Sequence, residues 1–448
     1  MIDRLRQQLA AADLPDRLRQ LAAGAPAAAP VSLTLDLGKL DSDWLHQLPA
    51  KAPFWYRARP QRGEFRLAIG HALQISSSGG NRFAALDNAF SGLCSDWRHT
   101  AGEPPPLAFA GFAFDAANQN PLPNALLAVP AILLENLAGH CRAVLTVPAG
   151  RIAQAIDEWW QLLAQPTRRS NARLLPAAPQ ALTQRAWTAR VNAALRDIAG
   201  GRVDKLVLSR SRHVEAAGPF SPALILGQLA EQQPDSLLYA HGQGELCFLG
   251  ATPERLVRLD NGLAEADALA GTAWSGSLSL AEQKNQHEQS LVVQAVVDAL
   301  APLCAAPPQA SPAAEHPAGH LTHLRSRISG RIATGTTLFD LVRTLHPTPA
   351  VGGYPSAVAQ DWLAAHGEQR SGWYSGGFGI LTAAGNGEFS VALRCALLHG
   401  RQAELQAGAG IVAGSDPQQE LAETEAKLGT LLAALGPAGE RDRNGTRD

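Results

Sequence analysis

Two glutamates, Glu288 and Glu423, are the first residues that could do chemistry together. Glu288 lies in one amphipathic stretch, and Glu420 and Glu423, three apart, lie in another. Carboxylate oxygens are the donors that hold a hard divalent cation. Mg²⁺ in particular keeps several waters and is usually held by one or two carboxylates plus an anionic substrate group. A single glutamate on a helix is ordinarily just solvated, so the neighbourhood decides. In LQAGAGIVAGSD (405–416), Gly408 and Gly410 flank Ala409, small residues that let backbone N–H groups approach an anion. Arg394 is a lone charge in the apolar FSVALRCALL (389–398), costly there unless it pairs with a carboxylate, which it can grip with two bonds. Lys205 opens KLVLSR, and lysine occurs elsewhere only at 39, 51, 284 and 427. A strand lysine ordinarily marks an exposed edge. Buried instead, its pKa would fall from about 10.4 toward the range of a working base. Glu254 follows the Thr252–Pro253 turn as a candidate acid. The residues thus point to an anion site beside a divalent cation, with a lysine base and a glutamic acid.

These side chains need elements to position them. DKLVLSR (204–210) alternates like a half-buried strand, with Lys205, Val207 and Ser209 on one face. ELCFLGATPERLVRL (245–259) reads as two strands joined by the Thr252–Pro253 turn. In residues 282–300, Leu291, Val292, Ala295, Val296 and Ala299 follow helical spacing, with Glu288 one turn ahead. FSVALRCALL alternates as one strand, with Arg394 on the face of Ser390, Ala392 and Ala396. A final helix over 415–435 has Asp416 as cap, Pro417 at its first position and Gln419 to complete a capping box. The N-terminal part reads as mixed structure, with strands at 32–38 and near 108–115 and a helix at 151–164. Residues 166–181 read as a connection and 306–319 as a surface loop.

Composition narrows the classes. With 448 residues, 46% hydrophobic and 17% charged, the chain can bury a large core. Its net charge of −2 gives no single-sign field, so neither nucleic acid nor an anionic membrane is an expected partner. No apolar run has the length of a spanning helix, and the first residues mix charges of both signs, so a cytoplasmic location is expected. Five scattered cysteines show neither zinc nor disulfide spacing.

As an ordered set, DKLVLSR, FLGATPERLVRL, LAGTAWSG, the HEQ helix, LHPTPAVGGYP, GWYSGGFGIL, ALRCALL, AGAGIV and ELAETEAKL resemble the chorismate-utilising enzymes, over about residues 185–435. Within that family they resemble the isochorismate synthase branch of menaquinone and siderophore pathways. The resemblance implies an α+β fold of two large, mainly antiparallel β-sheets packed together with helices outside. Residues 1–165 would be its variable N-terminal portion, 182–436 its chorismate-binding catalytic portion, and 437–448 a disordered tail. Water adds to C2 of chorismate while the C4 hydroxyl leaves. By position, Lys205 matches the base and Glu254 the acid. Glu288 and Glu423 match the Mg²⁺ ligands, with Glu420 acting through water. Ala270, Gly271, Thr272, His323, Ala350, Tyr374, Arg394, Gly408, Ala409, Gly410 and Lys427 match the substrate site. The branches that use ammonia carry Gln in place of Lys205. The branch that forms a covalent lysine adduct carries Lys in place of Ala270, and salicylate synthases tend to carry Thr in place of Ala350. Two positions depart from the pattern: Asn285 stands where an acid is usual, and Ser371 where an Arg is, with Arg370 beside it. A salicylate synthase and a non-catalytic chorismate-binding protein are the competing readings. A monomer is expected, without an amidotransferase subunit.

Overall fold

The structure is a computed structural model describing residues 2–39, 45–117, 121–164, 173–176, 181–274 and 279–436, without the side chain of His46. The expected tail at 437–448 and most of the 166–181 connection lie outside these residues.

Among the described residues twenty strands are hydrogen-bonded into one continuous network that bends into two layers. The first layer runs from Gly353–Tyr354 through Lys205–Glu215, Gln402–Val412, Cys395–His399, Leu246–Thr252, Leu237–Gln243 and Phe54–Arg59 to Glu64–Ser77. The second runs from Ala314–Ala318 through Leu321–Arg331, Leu263–Ala273, Arg255–Asp260, Gly387–Val391, Gly377–Thr382 and Leu107–Phe112 to Ala125–Leu137. All these pairs are antiparallel. The layers join where Glu64–Ser77 and Ala125–Leu137 pair with each other. Their register shifts between His71 and Leu73, the kind of irregularity that lets a long strand bend. The two expected sheets are therefore one sheet folded over.

Alternation sorts the side chains. Trp55 points between the layers while Phe54 and Tyr56 point outward. Between the layers, Trp55 lies 5.6 Å from Phe109 and 5.5 Å from Trp373, and Tyr239 lies 5.1 Å from Phe378. Each such fully buried aromatic contributes on the order of 2–3 kcal/mol through burial. Helices Ile2–Leu9, Leu14–Leu21, Ile152–Leu163, Pro222–Gln232 and Pro417–Leu435 cover the outer face of the first layer. Arg82–Asp96, Gln283–Leu300 and Leu338–Leu345 cover that of the second. The result is the α+β arrangement of packed sheet layers with helices outside. No described helix is long and apolar enough to cross a membrane.

The chain crosses between the layers at two adjacent points, Pro253–Glu254 and Ala392–Arg394. Val391 N–H donates to Glu254 O at 3.1 Å, and Ala251 N–H donates to Arg394 O at 3.1 Å, so the crossings are stitched together. FSVALRCALL is consequently not one strand. It splits into Gly387–Val391, paired with Arg255–Asp260, and Cys395–His399, paired with Leu246–Thr252, and Arg394 adopts φ 49° between them. A segment that changes partners from one layer to the other has to turn. Two more expectations change. The stretch 306–319 is not a plain loop: Gln309–Ala310 and Ala314–Ala318 form short, mostly exposed edge strands on Leu321–Arg331. At the last helix Asp416 accepts from the N–H groups of Gln418 and Gln419, with Pro417 in the first turn, while Gln419 itself is exposed and the cap is carried by Asp416.

Candidate active site

A pocket of about 660 Å³ opens beside the two crossings. The first layer supplies Val207, Gln406, Gly408 and Gly410; the second supplies Leu269 to Thr272 and His323. The crossings supply Glu254 and Arg394, and the two helices supply Glu288, Glu423 and Lys427. Tyr374, Ser375 and Ala350 close it. Ala270, Gly271 and Thr272 are thus gathered with Glu254, Glu288, His323, Ala350, Tyr374, Arg394, Gly408, Gly410, Glu423 and Lys427. Ala409 is not: strand alternation turns its side chain into the outer core beside Trp187 and Val191. Lys205 and Glu420 stand behind the lining, 0% and 1% exposed.

Lys205 sits between two neighbouring strands, not on an edge. The first six residues of its strand are all buried, more than the half-burial its alternation predicts. Its Nζ donates to Glu288 Oε1 at 2.8 Å. Gly410 makes room for this pair, since a Cβ there would come within 2.5 Å of Glu288 Oε1 and 3.0 Å of Lys205 Cε. Burial pushes the Glu288 carboxyl up, but the charge and hydrogen bond of Lys205 outweigh it and hold the carboxyl below its usual range. Two further pairs repeat the pattern. Lys284 Nζ lies 2.5 Å from Glu420 Oε1, and Lys427 Nζ lies 2.6 Å from Glu423 Oε1 and 2.9 Å from Gly408 O. Three of the chain's five lysines therefore meet its three candidate metal ligands.

Among the described residues no three His, Cys, Asp or Glu side chains stand in metal-coordinating geometry. The donor chemistry still suits a hard cation. All three acids offer oxygens, and Glu420 keeps a buried Oε2 without a partner. The Lys284 ammonium, disfavoured by burial, is sustained by Glu420, Glu423 and Glu288 together, so the three carboxylates focus on one positive position. Burial, then the charge of Glu423, pushes the Glu420 carboxyl up to about 7 against Lys284. Asn285 does not join them: its amide donates to Ser279 O at 2.9 Å and lies against Gly271.

Glu254 has the opposite surroundings. It is 3% exposed, its Oε1 is buried without a partner, and its bonds are made by the backbone, whose N–H donates to Thr252 Oγ1 at 3.2 Å and whose carbonyl accepts from Val391 N–H. Burial first, and then the charge of Asp267, pushes its carboxyl up to about 8 against Lys205, Lys427 and Arg394. At neutral pH it carries a proton.

Arg394 is placed by His323, which accepts from its Nη2 at 2.9 Å through Nε2. Guanidinium only donates, so Nδ1 of His323 must carry the hydrogen that it gives to Gly271 O at 2.9 Å. Burial and Arg394 push this imidazole well below its usual range, which keeps it neutral. Arg394 Nη1 is buried without a partner, a donor available to an anion in the pocket. Gly408 is required beside it: a Cβ there would meet Tyr374 Oη at 2.9 Å and Leu208 O at 2.9 Å. Arg394 and Ser375 hold φ of 49° and 58°, strained values that cluster at functional sites. Arg370, not Ser371, ties the walls together. It is buried, donates to Val351 O at 2.7 Å and Val207 O at 2.9 Å, and lies 3.8 Å over the Phe114 ring. The sequence assigns no role to Lys284 or Ser375, although for Lys284 the rarity of lysine and its place one turn before Glu288 are a signal.

The family described as chorismate binding enzymes matches residues 18–436. The salicylate biosynthesis isochorismate synthase of Pseudomonas aeruginosa is 33% identical over 417 residues, 88% of this chain and 87% of that protein. The isochorismate synthase MenF of Bacillus subtilis is 30% identical over 357 residues, 75% of each. The structure of MenF, the menaquinone-specific isochorismate synthase from Escherichia coli, matches with a TM-score of 0.78 at 26% identity, covering 94% of this chain and 98% of that one.

Proposed function

The chain belongs to the family of chorismate binding enzymes, and we propose that within it the protein is an isochorismate synthase using Lys205 as base and Glu254 as acid. The observation that carries this assignment is the contrast between two buried groups near one pocket, a lysine beside an ionised carboxylate and a glutamic acid with no partner. Lys205 takes a proton from water as its oxygen adds to C2 of chorismate. The ring double bonds shift, and the C4 hydroxyl leaves with the proton of Glu254. The ammonium so formed stands 2.8 Å from Glu288 Oε1, whose negative charge stabilises it until the proton passes to solvent. Arg394 and the amides around Gly408 and Gly410 hold substrate carboxylates. Ala270 offers no nucleophile for a covalent adduct, and the alanine at 350 supports release at isochorismate, which would feed menaquinone or siderophore formation.

Glu288 and Glu423, with Glu420 through water, would hold Mg²⁺, which when bound supplies a fixed positive charge that orients and neutralises a substrate carboxylate. The test is to incubate the purified protein with chorismate and Mg²⁺ and resolve the products by chromatography, with and without a chelator. Isochorismate alone, lost on chelation and regained with added Mg²⁺, is expected. Salicylate and pyruvate appearing at the rate of chorismate loss would overturn the assignment.

A further inference from the structure

Each turnover of the proposed reaction leaves Glu254 short of one proton, so the acid must be recharged before the next. A substrate-filled pocket is a poor route for that proton. The structure offers another, because Glu254 also lines a second cavity of about 890 Å³. Strand Leu263–Ala273 gives Leu269 to the substrate pocket and, two residues earlier on the same face, Asp267 to this second cavity. Arg59, Arg62, Arg255, Arg325, Arg327 and His316 line the cavity as well. Asp267 is 5% exposed and its Oδ1 is buried without a partner, as is Glu254 Oε1. Two carboxyl groups on one cavity, each with an orphaned buried oxygen, cost stability and call for another explanation.

We propose that Asp267 is a proton relay that recharges Glu254 from the arginine-lined cavity. A water or buffer acid in the cavity gives its proton to the Asp267 carboxylate. The Asp267 O–H then gives it to the Glu254 carboxylate, restoring the acid and the aspartate. The proton shed by Lys205 to solvent balances the one taken up. Burial holds the Asp267 carboxyl above its usual range against Arg255, Arg325 and Arg327. Asp267 acts through Glu254, so this inference rests on the reading of Glu254 as the acid.

The test compares Asp267→Ala and Asp267→Asn with the unaltered protein, using chorismate and Mg²⁺ as formate is raised at constant ionic strength. Expected are a fall in kcat of at least about tenfold with KM nearly unchanged, and recovery of Asp267→Ala in proportion to formate while the unaltered protein does not respond. Should the alanine variant fail to fold, the solvent deuterium isotope effect on kcat of Asp267→Asn decides, with an increase expected. An unchanged kcat, a loss that formate does not relieve, or an unchanged isotope effect in Asp267→Asn would overturn the relay. Glu254→Gln separates the two ideas. If it turns over normally the acid role itself fails, whereas if it is inactive and the Asp267 variants are normal, only the relay fails.

Discussion

Glu288 and Glu254 are the same residue in the same pocket, and the fold puts them in opposite states. Glu288 projects from a helix onto Lys205 and stays ionised although only 13% of its side chain is exposed. Glu254 sits at a crossing between sheet layers, where the backbone is occupied with its own bonds and no cation reaches its Oε1. The lesson is that surroundings, not residue type, assign the roles of acid and counter-ion. Placement follows from topology. Helices bring lysines to carboxylates, as Lys284 and Lys427 show, whereas the crossing leaves Glu254 Oε1 without a partner.

The comparison is broken most directly by removing the proton from one side. Glu254→Gln should lower kcat by about 10²- to 10⁴-fold while chorismate still binds, as read by single-turnover kinetics and calorimetry. Retained turnover would remove the distinction. Stability should separate the two glutamates next. Glu288→Gln removes the carboxylate partner of buried Lys205 and should destabilise the fold by about 3–5 kcal/mol in denaturant titrations. Glu254→Gln should do the reverse, with a sign that depends on pH. The folded-state pKa of Glu254, about 8, lies above the ordinary value of 4.5, so its contribution is intact below 4.5 and is lost as pH rises through 8. The glutamine variant should therefore gain stability relative to the native chain between those limits, on the order of a few kcal/mol. A smaller effect tests the space around the base. In Gly410→Ala the new methyl meets the Lys205–Glu288 pair, and kcat should fall about tenfold with the fold's melting temperature little changed.

Much of this arrangement is legible in the sequence itself. The strand of Lys205, the two strands flanking Thr252–Pro253, the helix of Glu288 and the Asp416–Pro417 start of the last helix each carry local signals, because period and capping are local physics. What was not legible is non-local. Lys205 on a strand argues for an edge until one knows that strands flank it on both sides. Arg394 lies in unbroken alternation, yet the chain turns there because its two halves have different partners. Ala409 was grouped with its glycine neighbours by sequence, and the pleat separates it from them. Asp267, set in the apolar stretch EADALAG, has no local mark of function, and only the cavity it shares with Glu254 gives it one.

The central claim is that Glu254 is protonated at working pH, and difference infrared titration of its carboxyl tests it most directly. The account predicts a protonated carboxyl band that is present at neutral pH, disappears with a midpoint near 8, and is missing from Glu254→Gln. A Glu254 band that titrates in the ordinary carboxylate range would contradict it.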